Sequence, residues 1–122
     1  MAISLRGLHP EVREAAEATL EWARHYKIPV QVTSTFRSWE QQTKLRKNYE
    51  RCLAEGRFPS PPDCKWPANR PGDSAHNYGL AWDSWVPDEW WWAWNWLRRY
   101  AGFHVPANDQ IHAEVPQWRQ YV

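Results

Sequence analysis

Three stretches of the chain repeat their apolar residues at helical spacing. From Pro10 to about Tyr26, the residues Val12, Ala15, Ala16, Leu20, Ala23 and Tyr26 recur with Glu and Arg between them. That pattern predicts an amphipathic helix. Pro10 suits its first position and Pro29 ends it. From Trp39 to about Ala54 the apolar stripe is Leu45, Tyr49, Cys52 and Leu53. Ser38 and Gln41 form a capping box ahead of it, and Gly56 stops it. The third helix opens at Pro87-Asp88-Glu89 and runs to about Ala101. Its acidic first turn and the Arg98-Arg99 pair in its last turn both suit the helix dipole. Trp90, Trp94, Leu97 and Ala101 share one face; Trp92, Trp96 and Tyr100 share another. A helix apolar on two faces is mostly buried or lines a binding surface. A row of Trp at this spacing reads as core ahead of a ligand platform, given the area each ring buries.

Between the helices lie short stretches with strand character. Val30–Phe36 alternates and is rich in β-branched residues. Along Leu80–Val86, Asp83 shares a face with Ala81 and Trp85, while Leu80, Trp82, Ser84 and Val86 take the other. In Ile111–Val115, His112 and Glu114 point one way and Ile111, Ala113 and Val115 the other. Arg57–Asp73 is Pro-rich and predicts a long loop. It reads as one wall of a substrate groove, with Trp66 as a contact, or as a plain connector. The prediction is a single α+β domain over residues 1–122, a small antiparallel sheet packed against two to three helices.

Composition narrows the function classes. A formal charge of +1 with no basic block gives no case for nucleic acid as the partner. No run approaches a membrane span, and Met1–Val12 lacks the apolar core of a signal peptide. The expectation is a monomer made in the cytoplasm. Eleven Trp are far above ordinary usage, so some are core and some line a groove. Without a secretion signal a disulfide is not the default. Cys52 and Cys64 read as bystanders, one in a helix and one in a loop.

The candidate chemistry starts at Ser74–Asp83, S-A-H-N-Y-G-L-A-W-D. Gly79 permits a turn or a close approach. A carboxylate in so apolar a run is costly to bury alone. A cation would supply a partner, and His76 would join as a nitrogen ligand. These ten residues read equally well as a surface Asp on an edge strand and a His in a loop.

The spacing S-x-H-x-x-G-x-A-x-D resembles the zinc-binding signature of the M15 peptidases. That group includes D-Ala-D-Ala carboxypeptidases and phage endolysins that cut the peptide stems of peptidoglycan, and is related to lysostaphin-type peptidases and the hedgehog domain. Two more elements carry the resemblance. Phe36-Arg37-Ser38 follows a strand, with Gln42 five positions after the Arg. Asp109-Gln110-Ile111-His112-Ala113-Glu114 is similar to the C-terminal Asp-x-x-His element, with Ala113 in place of the usual aromatic. The resemblance implies one zinc ion held by His76, Asp83 and His112, with a position left open. It implies Asp109 as general base and Arg37 as the group that binds a substrate carboxylate or the oxyanion. Gln42 and Ser74 are expected at the substrate. Glu114, on the face of His112, is the reserve base or the partner of that His. The expected activity is a zinc peptidase on peptidoglycan stems. An L-Ala-D-Glu endopeptidase of endolysin type, released to the wall by a holin, comes first, and a D-Ala-D-Ala carboxypeptidase second. A non-catalytic zinc-binding relative and a metal-free, Trp-rich glycan-binding module are the rival readings.

Overall fold

In the computed structural model, residues 4–122 are described. Met1–Ile3, which open the stretch read above for a signal peptide, lie outside the described residues. Helix α1 covers Pro10–His25, with Pro10 in its first turn and Arg24 and His25 in its last. Helix α2 covers Trp39–Ala54 behind a complete capping box: Ser38 accepts from the Gln41 N–H, and Gln41 accepts from the Ser38 N–H. A 3₁₀ turn at Asp88–Trp90 leads into α3, Trp91–Tyr100.

The sheet has three antiparallel strands in the order β1 (Gln31–Ser34), β2 (Ala81–Trp85), β3 (His112–Glu114). Register is what builds the site. The β1–β2 pairing shifts between Val32 and Ser34, so that Ser34 faces Asp83. Such an irregularity re-aims side chains. On the other side Asp83 faces His112. Asp83 therefore sits in the middle of the sheet with a chosen neighbour on each strand.

The alternation read from β2 holds. Trp82, Ser84 and Val86 are fully buried toward the helices, while Trp85, on the face of Asp83, is half exposed. The core gathers Leu8, Val12, Ala16 and Ala23 with Trp82, Val86, Trp94 and Leu97. Trp82 meets Trp94 and Phe103 edge-on, with ring centroids 5.8 and 5.5 Å apart.

Four expectations need correction. The strands are each shorter than the alternation suggests, because pairing partners run out at both ends. The stripe assigned to α2 is buried only at Cys52, while Leu45 and Leu53 are 43% and 49% exposed. That helix packs against the Pro-rich loop through polar links. Arg46 donates to the Ala68 carbonyl, Asn48 to that of Asp63 and Gln42 to that of Asn69. Cys52 and Cys64 are not bystanders; they form a disulfide across 12 residues. A loop with so little apolar material gains order from the cross-link instead. Finally, the second face of α3 is open to solvent, with Trp92 at 82%, Trp96 at 55% and Tyr100 at 67%. One helix flank suffices for the core, and the other carries a stacked Trp96–Tyr100 pair.

Candidate metal centre

His76 comes from a 3₁₀ turn, Ala75–Tyr78, whose backbone is pinned at both ends. Ser74 caps it, its hydroxyl accepting from the His76 N–H at 3.3 Å. Gly79 ends it at φ +70, where a side chain would stand 2.8 Å from the Gly7 carbonyl oxygen. Only glycine takes that conformation and that approach without strain. The ring of His76 is 3% exposed. Its Nδ1 donates to the Thr35 carbonyl at 2.6 Å, which orients the ring and turns Nε2 to Asp83 Oδ1 at 3.2 Å. His112 reaches the same oxygen through Nδ1 at 3.0 Å, while its Nε2 meets Glu114 Oε1 at 2.7 Å.

One ligand atom from each of His76, Asp83 and His112 falls within 4.8 Å of the others. Two nitrogens and a carboxylate oxygen converge, and the far nitrogen of each His is tied to an oxygen acceptor. This is the arrangement that orients imidazoles around a cation. The donor set fits zinc, and His76, Asp83 and His112 are the residues that could hold it.

The charges reflect the crowding. Burial raises the Asp83 pKa, but hydrogen bonds from His112 and His76 outweigh it and hold the carboxyl well below the usual range. Burial pulls His112 down, but Asp83 and Glu114 outweigh that and lift it to about 9. Asp109 is raised, first by burial and then by Asp83, against the pull of His112, His76 and Arg98. Its carboxyl is thus within electrostatic reach of the triad.

Arg37 stands at the rim, Nη2 being 3.9 Å from Asp83 Oδ2. It is held from behind by Gln42 Oε1 at 3.2 Å and Ser34 Oγ at 3.4 Å. Burial lowers its pKa against the opposing effect of Asp83. Gln42 is only 1% exposed and spends its other end on the Asn69 carbonyl, 2.8 Å away. Its place is under Arg37 and not in the open groove. The end of the Pro-rich loop also meets the site: the Gly72 N–H donates to Asn77 Oδ1, and Asn77 donates to the Arg37 carbonyl. Trp66, half exposed, stacks with Lys65.

A sequence profile of the VanY family, described as D-alanyl-D-alanine carboxypeptidase, matches residues 5–100. The chain belongs to the VanY family. That places it among the peptidases of the M15 group. The VanY match holds Arg37, His76 and Asp83 and stops before Asp109 and His112. The β2–β3 register places His112, and Asp109 lies in the turn before it, its carbonyl accepting from the His112 N–H at 3.0 Å. No curated protein matches the chain in sequence. Among solved structures, VanYB in complex with D-alanine-D-alanine is 17% identical, with TM-score 0.67, covering 94% of this chain and 78% of its own. The LdcB LD-carboxypeptidase is 20% identical, with TM-score 0.65 and 88% of this chain covered; the match spans 58% of LdcB. The L-Ala D-Glu endopeptidase ChiX of Serratia marcescens is 19% identical, with TM-score 0.55, covering 96% and 86%. These likenesses are of fold.

Residues outside the three motifs also shape the centre. Thr35 supplies the carbonyl for His76. Arg98, taken from the sequence as a helix-end charge, is wholly buried behind His112. Its spacing of four from Trp94 on the buried face of α3 is the signal that points inward.

Proposed function

We propose that this zinc peptidase cuts the peptide stems of peptidoglycan, at the L-Ala-D-Glu bond as an endopeptidase of endolysin type. The observation that carries the reading is the convergence of His76, Asp83 and His112, with Arg37 at 3.9 Å from Asp83 on its rim. A zinc ion held there would supply Lewis-acid polarisation of the scissile bond. The protein's own groups supply the rest. Asp109 handles the proton: its raised pKa brings it nearer the range where a carboxyl both accepts and releases one. Glu114 holds the His112 ring through Nε2, and Ser74 holds the His76 backbone. Arg37 takes a carboxylate with its planar fork.

Both candidate bonds put a free carboxylate on the residue that leaves: the terminal carboxylate of D-Ala, or the α-carboxylate of a γ-linked D-Glu. The choice between them rests on room beyond Arg37. An open groove of about 490 Å³ has Arg37 in its wall, with Thr33, Phe36, Gln41, Lys44 and Leu45. A terminal D-Ala leaves that space unused, whereas an internal D-Glu carries the remaining stem into it. D-Ala-D-Ala carboxypeptidase action is the second reading, favoured by the family description. No described helix is long and apolar enough to cross a membrane. Action at the wall as a monomer, after release by a holin in a phage setting, completes the proposal.

The test is digestion of purified peptidoglycan by zinc-loaded protein with product masses read out. Stem peptides bearing a new D-Glu N-terminus are expected. Loss of a single D-Ala would move the assignment to the second reading. Intact walls of several chemotypes would overturn both.

A further inference from the structure

Behind the segment that carries Asp109 and His112 lies a charge with no carboxylate in contact among the described residues. Arg98 is 0% exposed. Its Nη2 donates to the Gln110 carbonyl and to Asn95 Oδ1, the latter at 2.6 Å. Its Nη1 donates to the Ile111 carbonyl at 3.2 Å and to Ser84 Oγ at 3.4 Å. The guanidinium carbon lies 5.3 Å over the Trp94 ring, and Trp94 itself donates to Ser84 Oγ at 2.8 Å. Only Nε lacks a partner. Burying a cation among carbonyl dipoles is costly. Packing alone would be served by a Leu or Met of similar reach. What a guanidinium adds is a rigid plane whose two ends bond two acceptors at a fixed spacing.

Those acceptors are the two consecutive carbonyls between Asp109 and His112. The same group touches Ser84, the residue after Asp83. The Ile111 carbonyl also accepts from the Ser84 N–H at 2.9 Å, and Asn95 Nδ2 reaches Gln110 Oε1 at 3.3 Å. Rotating these peptides would swing the His112 side chain away from Asp83 and turn the Asp109 backbone that precedes it. We propose that Arg98 is a positioning residue that fixes the Asp109–His112 segment against β2, setting the directions of the base and of the third metal ligand. The proposal rests on the reading of those two residues given under Proposed function. Arg98 touches no substrate; it acts through the backbone of its neighbours.

The test compares Arg98→Met and Arg98→Lys with the unaltered full chain. Zinc affinity is measured by chelator competition, the visible spectrum is taken after cobalt substitution, and kcat and KM are measured per folded, metal-loaded molecule. Loss of a group that orients metal ligands weakens metal binding or activity by about 10- to 100-fold. Arg98→Met is expected to weaken zinc binding and lower kcat in that range, with KM little changed and an altered cobalt spectrum. Arg98→Lys, which keeps one carbonyl bond, is expected in between. A lower melting temperature, with zinc affinity, spectrum and kcat all as in the unaltered protein, would overturn the proposal. Should Arg98→Met not fold, Asn95→Ala removes the acceptor that aims Nη2. It must shift the cobalt spectrum and zinc affinity in the same direction, or the proposal falls. If the unaltered protein binds zinc and cuts no peptide, the peptidase reading fails. The affinity and spectral comparisons then still decide the role of Arg98.

Discussion

Zinc must compete with a proton at His112. In the metal-free protein the imidazole has a carboxylate oxygen at each nitrogen, 3.0 Å to Asp83 and 2.7 Å to Glu114. It stays protonated until about pH 9. A metal takes the neutral ring, so the proton must leave first. At pH 7 the ring lies two units below its pKa of about 9, which costs the metal about 2.7 kcal/mol at 1.36 per unit. Apparent zinc affinity should therefore rise about 50-fold from pH 7 to pH 9 and level off about 100-fold above its pH 7 value at higher pH. The same shift has a stability consequence. A pKa raised from 6.5 stabilises the metal-free fold fully below 6.5 and ceases to do so as pH rises through about 9. The metal-free protein should lose up to about 3 kcal/mol across that window, and the zinc-loaded protein should not. Asp83 acts at the other end: its lowered pKa contributes above the ordinary carboxylate value and is lost only in strong acid. The assay is chelator competition from pH 6 to 10, with calorimetry in buffers of different ionisation enthalpy. Close to one proton should leave per zinc at pH 7.5. An affinity flat between pH 7 and 9 after correction for the chelator, with no proton released, would refute the reasoning.

Three further outcomes are expected. Gln42→Met removes the bond to Arg37 and orphans the Asn69 carbonyl, so it should cost about 2–3 kcal/mol in urea denaturation. It should also raise KM more than it lowers kcat; an unchanged KM would detach Gln42 from Arg37's role. Replacing Cys52 and Cys64 together by Ser opens a loop of 12 residues and should lower stability by about 3 kcal/mol, read against reductant-treated protein. Trp94→Ala should cost about 3–5 kcal/mol by emptying the core, whereas Trp92→Ala should stay within about 0.5 kcal/mol in the same denaturation series.

The helices and the faces of the strands were legible in the sequence for local reasons, and the grouping of His76, Asp83 and His112 through the family resemblance. Ser38 and Gln41 cap a helix through their own backbone, and His112 and Glu114 share a face because strands alternate. What could not be read is what each element packs against. Leu45 and Leu53 have the right period for a core but meet solvent, because α2 lies on a Pro-rich loop instead of the sheet. Cys52 and Cys64 pair because that loop folds back, a fact of three dimensions. Gln42 sits at the spacing that suggests substrate, yet its burial puts it beneath Arg37. Arg98 read as a helix-end charge because dipole arguments apply to exposed ends. Its spacing of four from Trp94 points it inward, but the packing of the Gln110–Ile111 segment over it is a tertiary contact that the spacing does not announce. The Trp row split in two: Trp94 went to the core and Trp92 to water, since a single sheet face covers a single flank of α3.

The central claim is that His76, Asp83 and His112 hold a zinc ion that this protein uses to cut peptidoglycan stems. The direct measurement follows metal content and stem-peptide release on one preparation: as zinc-loaded protein, after stripping by chelator, after zinc is returned, and for His112→Ala. The account predicts about one zinc per chain where three protein ligands converge, with release lost on stripping, restored by zinc and absent in His112→Ala. Release that survives stripping, or zinc bound in full by His112→Ala, would contradict it.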